Sequence, residues 1–213
     1  MPHFSTSNMK SATLTDYRKQ VIFGAILGDG RLECPKPGNS RLQIRHSVAQ
    51  KPYVEYKHEI LKPLSLCLIS YTYFDYRTGK QYRQIGFNTV RDYFFTKLYS
   101  LFYREGKKSI PIQLLSEMNE VALAIFLGDD GTYDTNSKTV KISVDMYTHE
   151  DRELLRHWFK TNFAIEASIQ KDRIYVLRDS FPKLVKLVSD YLPGFMLYKL
   201  GLDLPPNRRN RPS

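Results

Sequence analysis

The 213-residue chain is 42% hydrophobic and 13% aromatic, enough apolar side chain for one large domain or two small ones and too much for a disordered polymer. Its 32 Lys and Arg outweigh 22 Asp and Glu, and the net charge of +10 favours a polyanionic partner, nucleic acid before an anionic membrane surface. Two cysteines, Cys34 and Cys67, exclude a disulfide framework and a paired-cysteine zinc site and point to a reducing compartment; no apolar run approaches the ~18 residues of a membrane span.

In chain order, residues 1–14 read as a polar leader with no apolar core for a signal peptide, although their Ser and Thr content leaves an organelle transit segment open. VIFGAILGDG (21–30) is an apolar helical run that stops at an acid and a glycine. LQIRHS (42–47) alternates as a strand does, and KPYVEYKHEILKPL (51–64) has a helical rhythm. YTYFDYRTGKQYRQIGF (71–87) reads as a hairpin with Thr78-Gly79 at its tip, and RDYFFTKLYSLFY (91–103) as a helix.

GKKSIPIQLLSEMN (106–119) is a linker broken at Pro111, after which the order begins again. ALAIFLGDDG (122–131) is a second apolar run ending in Asp-Gly, TVKISVDMY (139–147) alternates, and THEDRELLRHWFKTNF (148–163) is a helix opening at Thr148. AIEASIQKDRIYVL (164–177) reads as a hairpin around Lys171-Asp172 and FPKLVKLVSDYL (181–192) as a last helix. The Pro/Arg tail, 203–213, carries Arg208, Arg209 and Arg211. The predicted organisation is therefore two halves, 15–105 and 120–202, each helix, two strands, helix, two strands, helix, with 106–119 between them.

Asp29 and Asp130 lie 101 residues apart, at the same point of each half. Small residues one helical turn apart, Gly24 and Gly28, then Ala124 and Gly128, suit two helices in close approach, with both acids side by side at their ends and Gly30 and Gly131 in left-handed caps. Carboxylates about 4 Å apart repel by about 4 kcal/mol at an effective dielectric of about 20, and both oppose the negative pole of their helix. A divalent cation, Mg²⁺ or Ca²⁺, removes both penalties. The five histidines show no ligand spacing, and no Ser-His-Asp or Cys-His arrangement competes.

The motifs IFGAILGDG (22–30) and LAIFLGDDG (123–131), together with GKKSIP (106–111) and PGFMLYKLG (193–201), resemble the signature helices and lysine-bearing segments of the two-motif, single-chain LAGLIDADG homing endonucleases. The resemblance runs from about residue 17 to 202. It implies an α+β, pseudo-twofold duplicated αββαββα homing-endonuclease fold whose two antiparallel sheets form a DNA-binding saddle. It also implies a monomer that makes a double-strand cut in a long asymmetric DNA target by metal-dependent phosphodiester hydrolysis. Asp29 and Asp130 match the family's metal-binding acids, with Gly28 and Asp129 beside them in the metal set. Lys108, Lys199 and Gln43 match the catalytic pocket, and Ser143 is taken as the counterpart of Gln43. The implied cofactor is Mg²⁺, with Mn²⁺ substituting and Ca²⁺ binding without cleavage.

Base edges are read by Arg, Gln and Asp on a pleated surface, and phosphates by Lys and Arg at its rims. In the first half the candidates are Arg31, Arg41, Gln43, Arg45, Ser47, Tyr73, Asp75, Arg77, Gln81 and Arg83; Gln84 lies beside them. In the second half they are Lys141, Ser143, Asp145, Ser168, Gln170, Arg173 and Tyr175. Double-stranded DNA is the expected partner, the chain's own intron RNA a further one, and a membrane none. The expected compartment is an organelle or a prokaryotic cytoplasm. An intron-splicing maturase or a non-cleaving regulator on the same fold is the alternative. A polymerase "GDD" turn is disfavoured, because here it ends a helical run and recurs as "GDG".

Overall fold

Thr15 starts the first helix by accepting a hydrogen bond from the Arg18 backbone, and the apolar run that follows gives no residue a reason to face water. Helix α1 (Asp16–Leu27) is accordingly buried on all sides from Gln20 to Leu27. Asn119 caps α5 (Glu120–Asp130) through the Val121 backbone, and α5 is likewise buried from Val121 to Asp129. In this computed structural model, which describes residues 14–35 and 37–202, the chain divides into two units at Pro111 and Ile112. The leader's first thirteen residues and the tail with Arg208, Arg209 and Arg211 lie outside the described residues.

In the first unit α1 is followed by β1 (Arg31–Glu33), β2 (Arg41–Ser47), α2 (Lys51–Leu61), β3 (Ile69–Asp75), β4 (Lys80–Asn88) and α3 (Tyr93–Phe102). Its strands form one antiparallel sheet in the order β1-β2-β4-β3. Leu42, Ile44, Ile85 and Phe87 put one face of that sheet into a core with Tyr53, Val54 and Phe95. A two-residue hairpin, β5 (Tyr103–Arg104) and β6 (Lys107–Lys108), closes the unit, its turn made by Glu105 and Gly106 at φ 50° and 78°.

The second unit opens with the short α4 (Ile112–Leu115) and repeats the order: α5, β7 (Gly131–Asp134), β8 (Thr139–Ser143), α6 (His149–Phe163), β9 (Ala167–Gln170), β10 (Arg173–Val176) and α7 (Phe181–Val188). Its sheet has the equivalent order, β7-β8-β10-β9, over a core that includes Val140, Ile142, Ile174, Leu155, Trp158 and Leu184. Thr148 caps α6 through the Asp151 backbone, as its position in the sequence predicts. The helix expected over 181–192 stops at Val188, and a 3-10 turn, Ser189–Tyr191, replaces its last turn. The architecture is α+β with two antiparallel sheets, each half running αββαββα.

The expected left-handed caps at Gly30 and Gly131 are not what the chain adopts. Gly131 sits at φ −74° and ψ 148°, and neither glycine has positive φ. The reason for glycine is space. The chain passes from each motif helix into a strand at or just after this glycine, so the backbone folds back against the last helical turn. A Cβ would lie 2.5 Å from the Ala25 carbonyl oxygen at Gly30 and 2.4 Å from the Leu127 oxygen at Gly131. Gly30→Ala and Gly131→Ala should each lose about 1–3 kcal/mol of stability in urea unfolding, as overpacked sites do. Gly194→Ala, with nothing within 4 Å of the added carbon, should stay within about 0.5 kcal/mol of the parent. Equal effects at all three positions would refute the steric account.

Candidate functional site

In both units the acidic helix end is met by a lysine from a distant segment. Lys108, the last residue of β6, donates to the Gly28 carbonyl at 2.6 Å. Lys199, on the 3-10 helix Gly194–Leu200, donates to the Gly131 carbonyl at 2.8 Å and to that of Asp129 at 3.5 Å. Gly28 and Asp129 occupy the same point of the two repeats. Each ammonium thus satisfies a carbonyl left over at a helix C-terminus and offsets the negative pole there. Lys199 is held in place because its helix ends at Gly201, φ 72°, where the Tyr133 ring leaves no room for a Cβ.

Asp29 is about half exposed, just past the cap of α1. Burial works to raise its pKa, but the hydrogen bond and charge of His46, then the charges of Lys57 and Lys108, outweigh it and hold the carboxyl below its ordinary range. Asp29 is therefore ionised at neutral pH, a hard oxygen donor of the kind Mg²⁺ takes. Asp130 is the last residue of α5 and half-buried, and Asp129 is buried. The second motif helix runs on to Asp130, whereas α1 ends at Leu27 with Gly28 as its cap.

The strand registers correct one pairing. Arg31 faces Gln43 across β1 and β2, and Thr132 faces Lys141 across β7 and β8. Arg31 and Thr132 each lie two residues past the acid, so the counterpart of Gln43 is Lys141, and Ser143 is the counterpart of Arg45. Gln43 donates to Asn88 Oδ1 at 3.1 Å, while Lys141 lies 3.4 Å from Asp134. The Asn136 backbone N–H and then Lys141 hold the Asp134 carboxyl below its usual range.

The sheet faces sort the nucleic-acid candidates. In the second unit Lys141, Ser143, Ser168, Gln170, Arg173 and Tyr175 all stand on the face opposite the core, because they pair with one another across β8, β10 and β9. Asp145 lies beyond the end of β8, in a turn. In the first unit Arg31, Arg41, Gln43, Arg45, Ser47, Tyr73 and Asp75 share the outward face. Gln81 and Arg83 do not. They pair with Phe74 and Thr72 and fall on the face of Ile85 and Phe87; the pleat instead turns Tyr82, Gln84 and Asn88 outward. Asp75 is spent on the turn, accepting from the Arg77 backbone at 2.9 Å and the Thr78 hydroxyl at 2.9 Å, and Arg77 sits in that turn. The Arg45 guanidinium stacks 3.9 Å from the centroid of the Tyr71 ring.

Sequence reasoning missed His46, which contacts Asp29 from inside the core, and Lys57, which contacts His46. A signal existed. His46 occupies an apolar position of the β2 alternation, and Lys57 lies on the buried stripe of α2 with Tyr53, Val54 and Leu61.

A family model described as the LAGLIDADG DNA endonuclease family matches residues 19–184. The chain is 32% identical over 198 residues to the cytochrome b mRNA maturase bI2 of Saccharomyces cerevisiae, a match covering 85% of this chain and 46% of that one. It thus spans about half the length of that relative. It is 26% identical over 210 residues to the DNA endonuclease I-ChuI of Chlamydomonas applanata, covering 89% and 96% of the two chains. A solved structure of the homing endonuclease I-WcaI bound to its DNA recognition sequence has the same fold, with a TM-score of 0.80 at 24% identity over 92% of this chain and 88% of that one. Among the described residues no helix is long and apolar enough to cross a membrane.

One acid on the outward face balances its cations. Arg41 Nε donates to Glu33 at 2.5 Å and Arg91 at 3.3 Å, and the Arg41 hydrogen bond above all holds the Glu33 carboxyl below its ordinary 4.5. A depressed folded-state pKa stabilises above 4.5 and is lost as pH falls through the folded value. Glu33→Gln should therefore cost about 0.2–1 kcal/mol at neutral pH, the range of half-exposed pairs, and nothing in acid. Thermal melts across that range would show a constant difference if Glu33 were uncoupled.

Proposed function

Because the chain belongs to the LAGLIDADG DNA endonuclease family, we propose that it is a site-specific, metal-dependent DNA endonuclease that cuts both strands of a long asymmetric target. The observation that carries this reading is the acidic helix end present once in each unit, each with a lysine on its terminal carbonyl groups. A carboxylate at the negative pole of a helix is unfavourable, and a lysine drawn from 80 residues away beside Asp29, or about 70 beside Asp130, is an arrangement a merely solvated acid does not need.

Asp29 in the first unit and Asp130 in the second would bind divalent metal, Mg²⁺ with Mn²⁺ in its place, and Gly28 and Asp129 flank them in sequence. When bound, such a cation activates water and neutralises phosphate and leaving oxygens. The chain's own part is to keep the carboxylates ionised and to aim them. Lys108 and Lys199 keep a positive charge beside each acid for the incoming phosphate, and Gln43 and Lys141 place one polar group each at the mouth of their sheets. The outward faces then take DNA: Arg45, Gln84 and Ser47 in the first half, Lys141, Arg173 and Tyr175 in the second. These sets differ, which supports an asymmetric target rather than a palindromic one.

A second reading is favoured by the relatives named as cytochrome b mRNA maturases: the same basic faces binding the chain's own intron RNA. The two readings separate in one experiment. A plasmid carrying the intron-free host gene, incubated with Mg²⁺, should be linearised at one site. Asp29→Asn and Asp130→Asn should each slow linearisation by about a hundredfold or more, the loss of several kcal/mol of charge stabilisation. Tight binding to intron RNA with no cut in any divalent metal would move the reading to the maturase.

A further inference from the structure

In the first unit Asp29, His46 and Lys57 form a chain of three polar groups whose inner two are buried. His46 Nδ1 is 3.3 Å from Asp29 Oδ2, and His46 Nε2 is 3.0 Å from Lys57 Nζ. His46 is 4% exposed and Lys57 0%, and the Lys57 ammonium also lies 4.2 Å from the centroid of the Tyr53 ring. Lysine is almost never fully buried without a partner, because removing its charge from water is costly.

The second unit shows that the fold does not need these groups. By strand register, the position of His46 is taken there by Val144, and eleven residues on, as Lys57 is from His46, stands Leu155. Both are 0% exposed. The same core positions are therefore filled by apolar side chains, which have no hydrogen bond to offer an acid. A polar pair kept where an apolar pair packs equally well points to a task other than stability.

We propose that His46 and Lys57 are positioning residues that hold the Asp29 carboxylate from behind, and that this relay exists in the first half alone. The inference rests on the reading of Asp29 as a working carboxylate. Donor and acceptor chemistry fixes its internal state. A carboxylate only accepts and an ammonium only donates, so the imidazole between them presents N–H at Nδ1 to Asp29 and its lone pair at Nε2 to Lys57. One carboxylate oxygen is thereby pinned and its plane set by a group locked in the core, as outer partners orient the ligands of a metal site. The two halves then differ in preorganisation, and the strand served by Asp29 is cut under a constraint that the other is not.

The test copies the second unit into the first. The variant His46→Val/Lys57→Leu reproduces the Val144 and Leu155 pair, so it should fold with an unchanged or higher Tm and bind target DNA with unchanged Kd. With each strand end-labelled separately, one strand should be cut about 10–100-fold more slowly and the other at the parent rate, so nicked duplex accumulates. His46→Asn/Lys57→Leu, which restores an N–H donor toward Asp29, should recover most of that loss; a merely structural role would not be rescued this way. In the metal-free parent protein, ¹⁵N-detected imidazole spectra should place the His46 proton on Nδ1. Parent rates on both strands in the Val/Leu variant, or a proton on Nε2, would overturn the relay. A parent protein that cuts no duplex would overturn the nuclease reading instead, leaving the imidazole spectrum to decide the relay.

Discussion

A carboxylate at the C-terminal end of a buried helix sits where the backbone is already negative, and the lysine brought to that end offsets the conflict. Lys108 and Lys199 do so from segments that lie outside the motif helices, one on a two-residue hairpin and one on a 3-10 helix. The helix end cannot be completed locally. It is completed only when the rest of its unit has folded, which ties the candidate chemistry to the integrity of the whole half. The glycines after the acids serve the same junction. By letting the chain fold back on the last helical turn, they start the first strand immediately, and the register of each sheet is counted from there.

That register decides which side chains meet a ligand. In a pleated strand every second residue faces the same way, so one miscounted residue transfers a whole set to the opposite face. The outward face of the first unit is basic yet partly self-neutralised, since Glu33 engages both Arg41 and Arg91. Arg45 stacks on Tyr71, which fixes a guanidinium plane that would otherwise sample many rotamers. The second unit presents Lys141 beside Asp134 at the equivalent place, so the two faces offer different hydrogen-bonding patterns on one backbone plan.

The Asp29–His46–Lys57 chain shows how a duplicated fold diverges in chemistry while keeping its element order. Burying a lysine and an imidazole costs desolvation that hydrogen bonding must repay, whereas Val144 and Leu155 fill the same space with no such debt. The halves share an architecture because inward positions need only be the right size. They differ in chemistry because one such position reaches the acid at the helix end.

The sequence alone determined the duplication, the αββαββα order of each half and the acid that ends each apolar run, because apolar periodicity and repeated spacing are properties of the chain read in order; Lys108 and Lys199 stood out only through the family resemblance. Thr148 as a cap and Thr78-Gly79 and Lys171-Asp172 as hairpin tips were legible for the same reason: each acts on neighbours two to four residues away. Tertiary structure alone decided the rest. It turned Gln81 and Arg83 away from the face of Gln43, made Lys141 rather than Ser143 the counterpart of Gln43, put Gly131 in extended backbone and kept both Gly30 and Gly131 out of the left-handed region. It also put His46 behind Asp29 and Lys57 behind His46. Each of these depends on which strand pairs with which residue, or on how closely two distant segments approach, and neither distance is written in the order of the residues.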